Sequence, residues 1–145
     1  MSSTVFGASE ERLFAYRESG CKFCDIQDGY PEDRLIGKNK LAYAIIDRFP
    51  ATKLHSLVIP KRHVADVFDL IKPELAAMTT LLADIREFIL NEDPSVEGFN
   101  VGVNNGVVAG QSIFHVHVHL IPRRQGDVED PRGGVRSVIP KKYLY

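Results

Sequence analysis

The sequence predicts an α+β domain in which one long helix packs on an antiparallel sheet. Three observations carry that expectation. Short apolar, β-branched runs are bounded by turn residues; they fall in pairs before and after a single helical stretch; and a His-apolar alternation stands near the C-terminal end. At 145 residues the chain has the length of one domain.

In chain order, Met1–Ser9 is small and polar and reads as a loose arm. Leu41–Ile46 and Ser56–Ile59 read as strands, the second stopped by Pro60, with Asp47–Lys53 as the loop between them. Pro73 opens a helix in which Leu75, Met78, Leu82, Ile85 and Ile89 recur at spacings of three and four, the stripe expected of a helix lying on a sheet. The stretch from Asn91 to Gly98 turns the chain into a strand over Phe99–Val103. A glycine-rich loop, Asn104–Ser112, then leads into a last strand over Ile113–Ile121. The tail from Arg123 is rich in Arg, Gly and Pro and reads as a surface segment. Its Arg132, Arg136, Lys141 and Lys142 form a solvated terminus, or else screen phosphate charge or reach a partner subunit.

Composition narrows the function classes. A net charge of −1 lacks the basic excess of a general nucleic-acid binder. No apolar run approaches the roughly 18 residues of a membrane span, and the N-terminus lacks a basic start followed by an apolar stretch. A cytoplasmic protein is expected. Cys21 and Cys24 are too few for a disulfide scaffold; their spacing suits a metal site or a redox pair in a reducing compartment.

His115, His117 and His119 alternate with Val116, Val118 and Leu120. On a strand the three imidazoles share one face, with Cα atoms about 6.6–6.8 Å apart, while the aliphatic residues face the core. Neutral imidazole attacks phosphorus or carbonyl centres and titrates near neutral pH. Three adjacent rings cannot all be cationic, so they divide the labour among nucleophile, phosphate donor and structural ligand. The alternatives are a histidine-rich surface strand and a zinc site on the row itself. The preceding loop, Asn104 to Ser112, reads either as an ordinary turn or as a phosphate cradle of backbone N–H groups. In the second reading Gln111 or Ser112 bonds the bridging or leaving-group oxygen.

These residues resemble the histidine triad (HIT) superfamily of nucleotide hydrolases and transferases. The resemblance runs from Cys21-Lys22-Phe23-Cys24 through Asp47, His55–His63 and Asn104…Gly110-Gln111-Ser112 to the histidine run ending at Pro122. Gly126-Asp127-Val128 and Pro131–Arg136 further resemble microbial members described as dinucleoside polyphosphate hydrolases. The family implies a sheet of about five strands with one long and one short helix. It divides the chain into an arm over 1–19, a HIT domain over 20–124 and an extension over 125–145.

The resemblance also implies roles. His117 is the nucleophile, attacking the α-phosphorus to give a nucleotidyl-histidine that water cleaves. His119 contacts the phosphate, and His55 supports the triad by hydrogen bonding. Asn104, Gly110, Gln111 and Ser112 meet the phosphate and leaving group, with Gln111 among the catalytic set. Asp47 grips the ribose; Phe23, Ile26 and Arg48 line the base pocket, Arg48 where an apolar residue is commoner. Cys21, Cys24, His63 and His115 match the zinc-containing branch, which implies a closed structural site with no catalytic metal required; the alternative is a pair of reduced thiols. The chain departs from the family at Leu54, where glycine usually precedes the histidine, so a changed backbone path is expected at His55. The implied substrate is an AMP-containing nucleotide such as diadenosine tetraphosphate. An adenylyl phosphoramidate, a non-catalytic nucleotide-binding module and a catalytic metal on the triad are the rival readings. A homodimer is implied, with neither nucleic acid nor membrane as partner.

Overall fold

The computed structural model describes residues 16–26 and 34–142. The arm Met1–Ser9 lies outside the described residues. Five strands form one sheet: β1 (Leu35–Lys38), β2 (Ala42–Ile46), β3 (Ser56–Pro60), β4 (Gly98–Gly102) and β5 (Val118–Arg123). They stand in the order β1-β2-β3-β5-β4, every neighbouring pair antiparallel. Two α-helices complete the described fold, a short α1 (Lys22–Ile26) and a long α2 (Lys72–Glu92). The expected α+β class therefore holds.

The sheet buries both faces, and strand periodicity sorts the residues between them. Ala42, Ala44, Val58, Val116 and Leu120 join Met78, Leu81, Ile85 and Ile89 of α2 in one cluster. Tyr43, Ile45, Leu57 and Ile59 point the other way and meet Phe23 and Ile26 of α1. The small Ala42 and Ala44 let α2 lie close, while the larger side chains fill the α1 side.

Two expectations need correction. The helix stripe differs at two positions: Met78, Ile85 and Ile89 are buried as expected, but Glu74 and Leu81 are buried where Leu75 is exposed and Leu82 only partly buried. Burial of Glu74 follows from its pairing with Arg62, whose Nε and Nη2 lie 2.9 and 2.8 Å from its carboxylate oxygens. The last strand begins at Val118, not Ile113, so only His119 of the three histidines lies in regular strand. Over 113–117 the chain runs beside Pro60–Val64 instead. The Val116 N–H donates to the Val64 carbonyl at 2.7 Å, and the ring of His115, not its backbone, bonds Pro60. The in/out alternation survives, since Val116 and Leu120 still enter the helix-side core. Strand β1 had no sequence signal of its own, being four residues interrupted by Gly37 and a register shift.

Candidate functional site

Cys21, Cys24, His63 and His115 converge, one from the turn before α1, one from α1 and two from the segments that flank β3 and β5. Their ligand atoms all lie within 4.8 Å of one another. The sulfur-to-nitrogen separations are 3.5 Å for Cys21 Sγ to His115 Nδ1, 3.5 Å for Cys24 Sγ to the same atom and 3.4 Å for Cys24 Sγ to His63 Nδ1. A tetrahedral ion with ordinary Zn–S and Zn–N bonds sets that edge at about 3.5–3.6 Å. Both histidines are turned with Nδ1 inward by oxygen acceptors on the outer nitrogen. His115 Nε2–H donates to the Pro60 carbonyl at 2.7 Å, and His63 Nε2 stands 2.9 Å from the Glu18 carboxylate. Burial holds His115 down to about 4, hence neutral as a ligand must be. Burial also pushes the Cys24 thiol up to about 11, so without a cation it stays protonated, which opposes the reactive redox reading. The donor set fits a closed structural metal site.

The other histidines carry tautomers fixed by their partners. His117 Nδ1–H donates to the His115 carbonyl at 2.8 Å, which leaves the Nε2 lone pair bare. His55 Nδ1 accepts the Ala51 N–H at 2.9 Å, so its proton sits on Nε2. That Nε2–H faces His119 Nδ1 at 2.9 Å and the Asp47 carboxylate at 3.4 Å. His119 is thereby protonated on Nε2, a buried donor with no partner among the described residues. Burial first, then His117 and His55, holds His119 down to about 4, so it stays neutral. Asp47, His55 and His119 are also close enough to invite a metal. The bond from Ala51 opposes that reading: a ring accepting at Nδ1 keeps its proton at Nε2 and has no second lone pair to give.

These side chains open onto one cleft of about 470 Å³. Phe23, Ile26, Asp47, Arg48, Asn104, Gly110, Ser112, His117 and His119 line it, so nine of the expected site residues meet there. Phe23 stands edge-on to His117 with ring centroids 5.0 Å apart, and its carbonyl is held by the Tyr43 hydroxyl. His55 sits behind His119, against the Asp47 loop. Gln111 stands apart from the lining. Its oxygen accepts the Gly106 N–H at 2.8 Å and its amide nitrogen donates to Ala65 and Ile113 carbonyls, so it braces the loop.

Part of the loop backbone is engaged within the loop itself. Val107–Ala109 forms a 3₁₀ turn closed by Gly110 in the left-handed region, and the N–H groups of Ala109, Gly110 and Gln111 donate back to loop carbonyls. Asn104, Gly110 and Ser112 are the loop residues that line the cleft. At Leu54 φ is +71°, in the left-handed region that favours glycine. Lys22, Asp25, Arg34 and Phe49 also line the cleft and were not anticipated. Phe49, 83% exposed two residues after Asp47, was within reach of sequence reasoning; Glu18 beside His63 had no signal at all.

The fold and site together define a nucleotide-sized cleft floored by a histidine array on a five-stranded sheet. The chain belongs to the HIT family: the HIT domain model matches residues 30–126. An uncharacterised HIT-like protein of Mycoplasma genitalium is 40% identical over 72% of this chain and 74% of its own length. An adenylylsulfatase of Arabidopsis thaliana is 36% identical, covering 76% of this chain and 55% of that protein. An asymmetrical bis(5'-nucleosyl)-tetraphosphatase of Schizosaccharomyces pombe is 36% identical over 64% of this chain and 50% of its own length. The chain thus spans about half of each of these two named enzymes. Among solved structures, a Zn-bound histidine triad family protein from Mycobacterium smegmatis superposes with a TM-score of 0.68 at 34% identity, covering 74% of this chain and 78% of that one.

Proposed function

We propose that the chain is a nucleotide hydrolase or transferase that acts at the α-phosphate of an AMP-containing substrate through a nucleotidyl-His117 intermediate. The observation that carries this reading is the pair of opposite tautomers in one cleft: His117 offers a bare Nε2 and His119 an unpartnered Nε2–H. In the first step the His117 Nε2–P bond forms as the bond from phosphorus to the leaving group breaks, and the leaving group takes up a proton from solvent, to which the second step's water returns one. Water then adds to phosphorus, the N–P bond breaks and His117 regains its lone pair. His119, Asn104 and Ser112 supply donors to the charge developing on the phosphoryl oxygens. Asp47 fixes the ribose, and Phe23 and Ile26 take the base.

A dinucleoside polyphosphate such as diadenosine tetraphosphate is the substrate class we favour, supported by the tetraphosphatase relative and by Lys22, Arg34 and Arg48 along the cleft. The adenylylsulfatase relative supports the broader class of adenylyl anhydrides, to which we add the adenylyl phosphoramidates. The test is trapping of radiolabelled AMP on protein denatured in detergent at alkaline pH, where a histidine P–N bond survives, wild type against His117→Ala. Label on the wild type alone is expected. No label from any adenosine polyphosphate or phosphoramidate would sink the covalent mechanism.

We further propose that Cys21, Cys24, His63 and His115 hold a structural zinc, supported by the tetrahedral edge lengths and the Zn-bound relative. A homodimer is proposed through the edge of β4 that pairs with no strand among the described residues, where Val101 is exposed beside a groove between β4 and α2. The division at 19/20 and 124/125 and a cytoplasmic location, which free thiols suit, complete the reading. No described helix is long and apolar enough to cross a membrane.

A further inference from the structure

Residues 16–18 run across the outer side of the Cys/His cluster and lie outside the span of the family match. The His63 N–H donates to the Tyr16 carbonyl at 2.7 Å, and the Tyr16 ring meets the His63 ring edge-on with centroids 6.0 Å apart. Glu18 makes three contacts with three different members of the cluster. Its carbonyl accepts the Cys21 N–H at 3.2 Å, its N–H points at Cys24 Sγ from 3.4 Å, and its carboxylate lies 2.9 Å from His63 Nε2.

We infer that Glu18 is a positioning residue of the metal centre, its carboxylate holding the proton of His63 on Nε2 so that Nδ1 faces the sulfurs. This rests on the metal reading above. His115 has the same arrangement with a neutral acceptor, the Pro60 carbonyl. Among the described residues His63 has no such carbonyl on its outer nitrogen and is anchored instead by the Glu18 carboxylate from a preceding segment. The distinction matters because a histidine–carboxylate pair whose carboxylate is 56% exposed contributes little to the stability of a metal-free protein. A cation on Nδ1 polarises the ring and makes Nε2–H a stronger donor, so the carboxylate acts chiefly when metal is bound. The backbone bonds of Glu18 survive substitution of its side chain, so a variant there isolates the carboxylate.

The test uses full-length protein stripped of metal and titrated with Zn²⁺ against a chromophoric chelator. Glu18→Ala is expected to weaken Zn²⁺ binding by about 10–100-fold. Glu18→Gln, whose amide oxygen still accepts the Nε2–H, is expected to fall between Ala and wild type. The Tm of metal-free Glu18→Ala should equal that of the metal-free wild type. Wild-type affinity in Glu18→Ala would overturn the assignment, and so would a matching drop in metal-free Tm, which would mark a role in the fold alone. If the wild type takes up no Zn²⁺, the metal reading itself fails and the assignment goes with it. If the wild type binds and Glu18→Ala binds equally, only the assignment fails.

Discussion

His117 Nδ1 lies 2.8 Å from the carbonyl oxygen of His115, so the candidate nucleophile takes its tautomer from the backbone of a candidate metal ligand. Phe23, between the two cysteines in sequence, touches both rings, with centroids 6.0 Å from His115 and 5.0 Å from His117. The cluster therefore anchors one wall and the floor of the cleft together. Free zinc at about a thousand times its Kd stabilises the folded state by about 4 kcal/mol, or about 8–16 °C in Tm for a chain of this size. Chelation should lower Tm by that amount and weaken AMP binding, with both restored by Zn²⁺. Thermal unfolding and AMP titration with and without chelator check this; a Tm indifferent to chelation would remove zinc from the account.

Leu54 holds a left-handed φ of +71° immediately before His55. For a residue with a Cβ that conformation costs about 1–2 kcal/mol. Leu54 also packs against the helix-side core, which offsets part of the cost. Leu54→Ala keeps the strain and loses the packing, whereas Leu54→Gly loses both. Urea denaturation should therefore rank Gly above Ala by about 1 kcal/mol, the reverse of their usual order. A more stable Ala variant would show that the strain has been relaxed elsewhere.

What the sequence disclosed here is what short-range pattern encodes. The His-apolar alternation placed Val116 and Leu120 in the core, and the apolar runs marked β2, β3 and β4 to within a residue or so. The family resemblance named side chains that the fold brings to one cleft. What stayed hidden depends on partners far along the chain. Gln111 had the type and position of a catalytic amide, but its hydrogen bonds to Gly106 and Ala65 are set by the fold. Glu18 lies 45 residues before His63 in a stretch without pattern, and the ring of His115 displaces a strand ladder because Pro60 offers it a carbonyl. A motif names the groups that could react, and only tertiary contacts say which are already engaged.

His119 gives the protein a pH dependence whose sign can be worked out. Burial, then His117 and His55, depresses it to about 4 in the folded state, against about 6.5 in an unfolded chain. Below pH 6.5 the unfolded state binds the extra proton, so the contribution, complete above that pH, is lost as pH falls towards 4. His119→Gln removes the titration. With zinc saturating, so that His115 is held as a ligand, the wild type should lose stability between pH 6.5 and 4 more steeply than His119→Gln. Parallel curves from urea unfolding at each pH would refute the assignment of that proton uptake to His119.

The Arg62–Glu74 pair joins the segment carrying His63 to the first turn of α2. Arg62 Nη2 also donates to the Asp69 carbonyl at 3.0 Å, and Glu74 accepts the Ile71 N–H at 3.1 Å, so both side chains are satisfied beyond each other. With Glu74 fully buried, removing either partner strands a charge in the interior, at about 3–5 kcal/mol. Arg62→Ala and Glu74→Ala should each cost that much. Arg62→Met with Glu74→Leu, which strands nothing, should recover most of the loss, apart from the bond to Ile71. Salt should change little, because the pair is shielded from solvent ions. A double-mutant cycle by denaturant unfolding decides the matter. Single variants costing less than about 1 kcal/mol would place this pair with exposed ones, and the register of α2 would then have to come from its apolar stripe alone.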